Sequence, residues 1–296
     1  MATLGISLLA EPSLKNLFKV PEDFRKFKAA AAEFQNICKS MLENRSREIA
    51  ANPSKWEIDN SALTLLLKDK DTSGNLFFDE ELAVATCAGF INGAYDTTHN
   101  TVFWAIWHLA CHQGEQKIVA AEIDERFGVR AKDFKMEECR ELKYLHAFLL
   151  ESNRLRPTVP LGMRVNEEKD LTVSGLPVPQ GITLMPNWSS GANSKHHFGD
   201  DVDLFRPSRF LSDTPEAKLA RQSFVGFGSH ARMCVGFKFA EVEMKCLLVS
   251  LVSRYRIQLE DGRGEKLGMK LESGVNSPNE KVGFRFLRRR SEDVKG

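Results

Sequence analysis

What the chain lacks narrows it first. No apolar run approaches the roughly 20 residues needed to cross a bilayer. The short apolar stretch Gly5–Ala10 has neither the length of a secretory signal nor basic residues before it. The chain is therefore expected to be soluble as it stands. Charge of one sign is not in excess: 41 basic residues face 40 acidic ones, a net charge of +1. That balance gives no electrostatic footprint for a nucleic-acid partner. The six cysteines, Cys38, Cys87, Cys111, Cys139, Cys234 and Cys246, have no paired-ligand spacing. Their scatter argues against a zinc site and a disulfide framework, and for a reducing compartment. Internal repeats and long low-complexity segments are also missing.

What is present is a globular composition, 42% hydrophobic and 27% charged over 296 residues, enough for a large core. Apolar residues at Phe24, Phe27, Phe34, Ile37, Met41 and Leu42 predict an amphipathic helix over 21–51. A loop at Thr72-Ser73-Gly74 precedes a long helix, with Asp79 as N-cap and Glu80-Glu81 in its first turn, running to about Cys111. Further helices are expected over 115–127 and 135–154, the second stopping before Pro157. Short strands over 171–173 and 182–185 flank a turn cluster at 175–181. An ordered meander over 187–210 follows, then a helix over 237–251. Strands over 255–259 and 282–287 surround a polar turn at 273–280, and residues 288–296 read as a solvated tail. The expected fold class is mainly α with small β elements, in a single domain over 1–296.

Cys234 is the residue with the most chemical context. It follows Phe227-Gly228-Ser229-His230-Ala231-Arg232-Met233 and precedes Val235-Gly236 and a helix. The positive end of a helix favours the thiolate, the form that ligates metal. Gly228 and Gly236 let backbone approach a flat ligand where a Cβ would collide, and Arg232 suits a carboxylate. Taken alone, the same thiol reads more readily as a small buried hydrophobe without chemistry.

Other segments carry their own signals. Glu151 and Arg154 lie three apart on one helix face, which taken alone is an ordinary surface pair. Arg209, set among Phe205, Pro207 and Phe210, is expected to be partly buried and paired. Asp96 and Thr97 interrupt the long helix beside Gly93 and Ala94. Thr97 can bond back to a carbonyl four residues earlier, while Ala83, Ala85, Ala88, Gly89 and Gly93 leave room for something flat.

In this order and spacing, the four segments resemble the cytochrome P-450 family of haem-thiolate monooxygenases, over about 21–287. The resemblance implies the C-terminal portion of that fold and haem b (iron protoporphyrin IX) as cofactor, with Cys234 as its proximal ligand. It implies Phe227, Gly228, Gly236 and Ala94 against the ring, Arg232 and Arg164 on its propionates, and Asp96 and Thr97 as the distal proton-delivery pair. Glu151, Arg154 and Arg209 match a buried structural triad, and Thr158, Val159 and Leu161 match a substrate-lining segment. The turn over 273–277 would also face substrate. Implied partners are O2, a small apolar organic substrate, and NAD(P)H acting through a reductase or ferredoxin. Membrane association would come only through an N-terminal part that this chain lacks, since full-length relatives are often anchored. His230 departs from the usual glycine, and costs on the order of 1 kcal/mol if φ there is positive. Ala94 and Ser208 also depart, replacing a common glycine and a common glutamate. Alternatives are a haem-thiolate isomerase or dehydratase, which Asp96-Thr97 argues against, and a shortened non-catalytic remnant.

Overall fold

The computed structural model describes residues 22–169, 171–260, 262, 266–272 and 274–289. The readings placed on Gly5–Ala10, on Ser273 and on 290–296 lie outside them. The chain divides into two compact units at Tyr95/Asp96.

The first unit begins with helix α1 (Glu22–Ala51), followed by the short α2 (Pro53–Trp56), α3 (Ala62–Lys68) and the first part of α4 (Glu80–Cys111). Asp79 caps α4 as expected, its Oδ1 accepting the Leu82 N–H at 2.8 Å. The buried face of α1 is narrower than its apolar residues suggested. Cys38 and Leu42 are buried with Phe34 packed beside them, against Leu66, Ala83 and Cys87. Ile37 and Met41 instead stay 52% and 37% exposed. Positions 34, 38 and 42 repeat every four residues along one face, and 37 and 41 fall on the next.

The second unit holds the rest of α4, α5 (Gln113–Phe127), α6 (Lys143–Leu155) and, after two short helices α7 (Trp188–Ala192) and α8 (Lys195–Phe198), α9 (Pro215–Ser223) and α10 (Phe237–Val252). Its core joins Ala105, Leu109, Val119, Ile123, Leu145, Phe148, Leu248, Val252 and Ile257. Each fully buried aliphatic or aromatic side chain stabilises this core by about 1.5–3 kcal/mol. His108, 2% exposed, ties α4 to α6 through Nδ1 and Ser152 Oγ at 2.9 Å, and stacks on Phe205 at 4.4 Å.

Several boundaries differ from the sequence reading. The helix expected over 135–154 starts only at Lys143. The Glu138 carboxylate takes the Lys135 N–H at 2.8 Å, a 3-10 turn spans Glu138–Glu141, and Leu142 is extended at ψ 96. The turn cluster over 175–181 contains a strand. β2 (Leu171–Val173) pairs antiparallel with β3 (Leu176–Val178) around Ser174 and Gly175, both at positive φ. β1 (Arg164–Val165) pairs with β4 (Thr183–Leu184). The polar turn over 273–280 likewise contains β7 (Val275–Pro278), paired with β6 (Met269–Glu272). β5 (Tyr255–Leu259) pairs with β8 (Phe284–Arg288). The solvated tail therefore cannot begin at Arg288, which ends β8, nor at Arg289, whose guanidinium pairs with Asp124 with both side chains 9% exposed.

Candidate functional site

The cysteine loop is held by its own backbone. The Cys234 N–H donates to the Phe227 carbonyl at 2.8 Å, and the Met233 N–H to the His230 carbonyl at 3.0 Å. A 3-10 turn spans His230–Arg232, and α10 starts at Phe237 with Gly236 as its cap residue. Gly228 sits at φ +74, where a Cβ would come within 3.3 Å of the Arg232 carbonyl oxygen. His230 sits at φ +55, so the loop does require the left-handed conformation at that position. A Cβ on Gly236 would meet Cys234 Sγ at 3.9 Å, ordinary van der Waals contact. Cys234 itself is exposed.

Beside the loop lies a cavity of about 200 Å3, walled by Phe227, Gly228, Met233, Phe237, Leu149 and Met244. Thr101 and Asn153 add polar edges to it. Asn153 is 7% exposed, and its Oδ1 has no hydrogen-bond partner among the described residues. Cys234 does not line this cavity; its exposed thiol, with Gly236 leaving only van der Waals contact beside the sulfur, is the kind of donor that a haem-thiolate group requires. Thiolate-ligated haem therefore fits the residues at Cys234.

The three residues expected to form a triad are brought together. Arg154 Nε and Nη2 donate to the Glu151 carboxylate at 2.7 and 3.0 Å, and Arg209 Nε donates to Glu151 Oε1 at 2.9 Å. The side chains are 0%, 0% and 3% exposed for Glu151, Arg154 and Arg209. Remaining guanidinium hydrogens go to main-chain carbonyls of Ala192, Val202, Phe198 and Asp201. The triad thus pins the meander over 187–210 to α6.

On α4, Asp96 is exposed and Thr97 half-buried. Their carbonyls accept from Asn100 Nδ2 and from Thr101 Oγ1, each at 2.8 Å. Thr158 is buried, its hydroxyl 2.7 Å from Thr101 Oγ1. Its carbonyl accepts the N–H of Asn276 in β7 at 2.7 Å, and Asn276 Nδ2 donates to the Pro157 carbonyl at 2.7 Å. This joins the segment of Thr158, half-buried Val159 and half-buried Leu161 to the β6–β7 hairpin. Ala94 is exposed in the first unit. Arg232 and Arg164 are both exposed, and Arg164 Nη1 donates locally to the Met163 carbonyl at 2.7 Å.

Sequence reasoning passed over Thr101, Asn153 and Asp201. Thr101 lies one turn beyond Thr97, so helical spacing could have placed it on the same face. Asp201 Oδ1 meets Arg209 Nη1 at 3.3 Å, and no local pattern marks it.

The fold and site define a mainly helical protein with a cysteine presented on a glycine-bearing loop ahead of a helix, and with a buried carboxylate–arginine triad. Residues 7–285 match the Cytochrome P450 family, and the chain belongs to it. Sterol 26-hydroxylase, mitochondrial, of Oryctolagus cuniculus is 30% identical over 84% of this chain and 46% of that protein. Cytochrome P450 2U1 of Rattus norvegicus is 26% identical over 81% and 44% respectively. The chain thus spans less than half the length of these relatives. A crystal structure of a cytochrome P450 (CYP102L1) superposes with a TM-score of 0.76 at 20% identity, over 92% of this chain and 59% of that one. It supports the fold, and the family membership implies haem as the cofactor. Among the described residues, no helix is long and apolar enough to cross a membrane.

Proposed function

We propose that this chain carries the haem-thiolate centre of a monooxygenase that inserts one oxygen atom from O2 into a small apolar organic substrate. Electrons would come from NAD(P)H through a reductase or ferredoxin. The observation carrying this reading is Cys234, exposed on a loop held by Phe227, with Gly228 and Gly236 on either side. Haem, when bound, supplies the oxidising chemistry and the path for electrons.

The chain's own residues have separable tasks in this reading. The Cys234 sulfur ligates as thiolate, and the Phe227 side chain shields that side of the site from water. Arg232 and Arg164 pair with the haem carboxylates; both guanidinium groups are solvent-exposed and so can turn to them. Gly228 and Gly236 would keep side-chain bulk off the ring. Asp96 and Thr97 would act as a relay, the Thr97 hydroxyl giving up its own proton toward the reacting oxygen as it takes one from the Asp96 carboxyl. Thr158, Val159 and Leu161 shape the substrate pocket, fixed by the Thr101–Thr158 hydroxyl pair. Glu151, Arg154 and Arg209 act on the fold alone.

The test begins with the reduced, carbon-monoxide-bound spectrum. A thiolate-type Soret band is expected from the chain and its absence from Cys234→Ala. Asp96→Asn and Thr97→Ala are expected to retain the band but lose about a hundredfold or more in turnover, the usual worth of a positioned proton donor. Haem uptake unchanged by Cys234→Ala would refute the ligand assignment. Turnover without O2 or reductase would instead favour the isomerase or dehydratase class.

A further inference from the structure

Four of the cysteines that look scattered in sequence meet in pairs across elements. Cys38 of α1 and Cys87 of α4 share the first unit's core. In the second unit, Cys139 in the 3-10 turn Glu138–Glu141 and Cys246 on α10 stand 3.7 Å apart, sulfur to sulfur, although 107 residues separate them. The two differ in access: Cys139 is 0% exposed, whereas Cys246 is half-buried. Their hydrogen bonds run in one direction. The Cys246 thiol donates to Cys139 Sγ, and the Cys139 thiol donates to the Lys135 carbonyl at 3.7 Å. A lone pair of Cys139 therefore faces Cys246. The turn and the helix are already fixed to one another, since the buried Lys245 Nζ donates to the Arg140 carbonyl at 3.2 Å and pairs with Glu241 at 3.0 Å.

We propose that Cys139 and Cys246 form an oxidation site, closing to a disulfide when the chain meets hydrogen peroxide. Peroxide reaches the more accessible sulfur first. The Cys246 sulfur attacks one peroxide oxygen, the O–O bond breaks, and water leaves with the Cys246 proton, giving the sulfenic acid. Cys139 sulfur then displaces the hydroxyl from Cys246, and its own proton leaves with that hydroxyl as a second water. The two thiols lose two electrons and peroxide gains them. Burial pushes the Cys139 thiol up to about 12, which leaves it the slower of the two sulfurs to react with peroxide. From 3.7 Å the sulfurs need less than 2 Å of approach to reach bonding distance, within reach of side-chain rotation. The bond would staple the 3-10 turn to α10, the helix that leads out of the Cys234 loop. The site depends on no bound haem and stands apart from the monooxygenase reading.

The test uses the full chain, reduced, treated with a small excess of hydrogen peroxide, then alkylated and digested without reductant. Expected are a peptide linking Cys139 to Cys246, a mass loss of about 2 Da, and recovery of both thiols with dithiothreitol. Cys246→Ala should abolish the link, whereas Cys38→Ala should leave it. Cys139→Ala should leave a sulfenic acid on Cys246 that dimedone traps. Free alkylation of both thiols after oxidation of the folded chain would overturn the proposal. So would a link that forms only in denaturant.

Discussion

Replacing Glu151 with glutamine removes one negative charge from a site where two guanidinium groups are almost fully desolvated. Glu151 accepts four hydrogen bonds: two from Arg154, one from Arg209, and one from the Arg206 main-chain N–H at 2.8 Å. Glutamine keeps the shape but turns one acceptor oxygen into a donor. At Oε2, that NH2 would face Arg154 Nε across 2.7 Å; flipped, it would face Arg154 Nη2, Arg209 Nε and the Arg206 N–H. Either way, at least one guanidinium N–H is left facing a donor, and the carboxylate's charge between the two guanidinium groups is gone. Breaking a buried pair from one side costs about 3–5 kcal/mol, against a total stability of about 5–15 kcal/mol. With a urea m-value of about 3 kcal/mol/M, a 4 kcal/mol loss moves the midpoint down by roughly 1.3 M.

The matched control is Arg206→Ala. Its guanidinium is 51% exposed beside Asp201, so its loss should cost about 1 kcal/mol or less, and its N–H to Glu151 survives the substitution. Urea unfolding followed by far-ultraviolet circular dichroism gives both midpoints. Equal, small shifts for Glu151→Gln and Arg206→Ala would refute the argument that the carboxylate's charge organises the meander.

Three further outcomes follow from particular contacts. Glu241 is pulled down to about 2, first by its hydrogen bond with His146 and then by Lys245, against burial. Its contribution is therefore full above about 4.5 and lost as pH falls toward about 2. Thermal unfolding across that window should slope more steeply in the wild type than in Glu241→Gln, and parallel slopes would contradict the assignment. His230→Gly relieves a left-handed residue worth about 1–2 kcal/mol, offset by glycine's added chain entropy of about 0.5–1 kcal/mol. A small rise in midpoint is expected, absent in His230→Ala; identical behaviour of the two would exclude backbone strain. Arg289→Ala strands Asp124, 9% exposed, and should cost about 3 kcal/mol, measurable as a lowered denaturation midpoint. An unchanged midpoint would mean that β8 does not need this pair to hold its end.

Where the chain's signals are local, sequence and structure coincide; where they depend on distant partners, they part. The Asp79 cap and the long helix behind it need only neighbouring residues, and both appear where the pattern puts them. The positive φ of His230 was anticipated only through the family resemblance, which puts a glycine there; the histidine itself carries no local mark of it. Glu151–Arg154 was visible as an i,i+3 pair, yet its burial depends on carbonyls 38 to 50 residues away in the meander. Taken alone, the pair resembled a weak surface contact. Arg209 was found through its apolar flanks, but Asp201 beside it was not, because an aspartate in an irregular segment has no periodicity to betray its role. The strands β3 and β7 were hidden by Pro177 and by Asn276-Ser277-Pro278, residues that signal turns; both strands lie in two-stranded hairpins, and a strand with a ladder on one side only can take a proline. Cys139 and Cys246 make the limit clearest. A contact spanning 107 residues leaves no trace in spacing, so cysteines that looked like an argument against pairing are, in the folded chain, two pairs of neighbours.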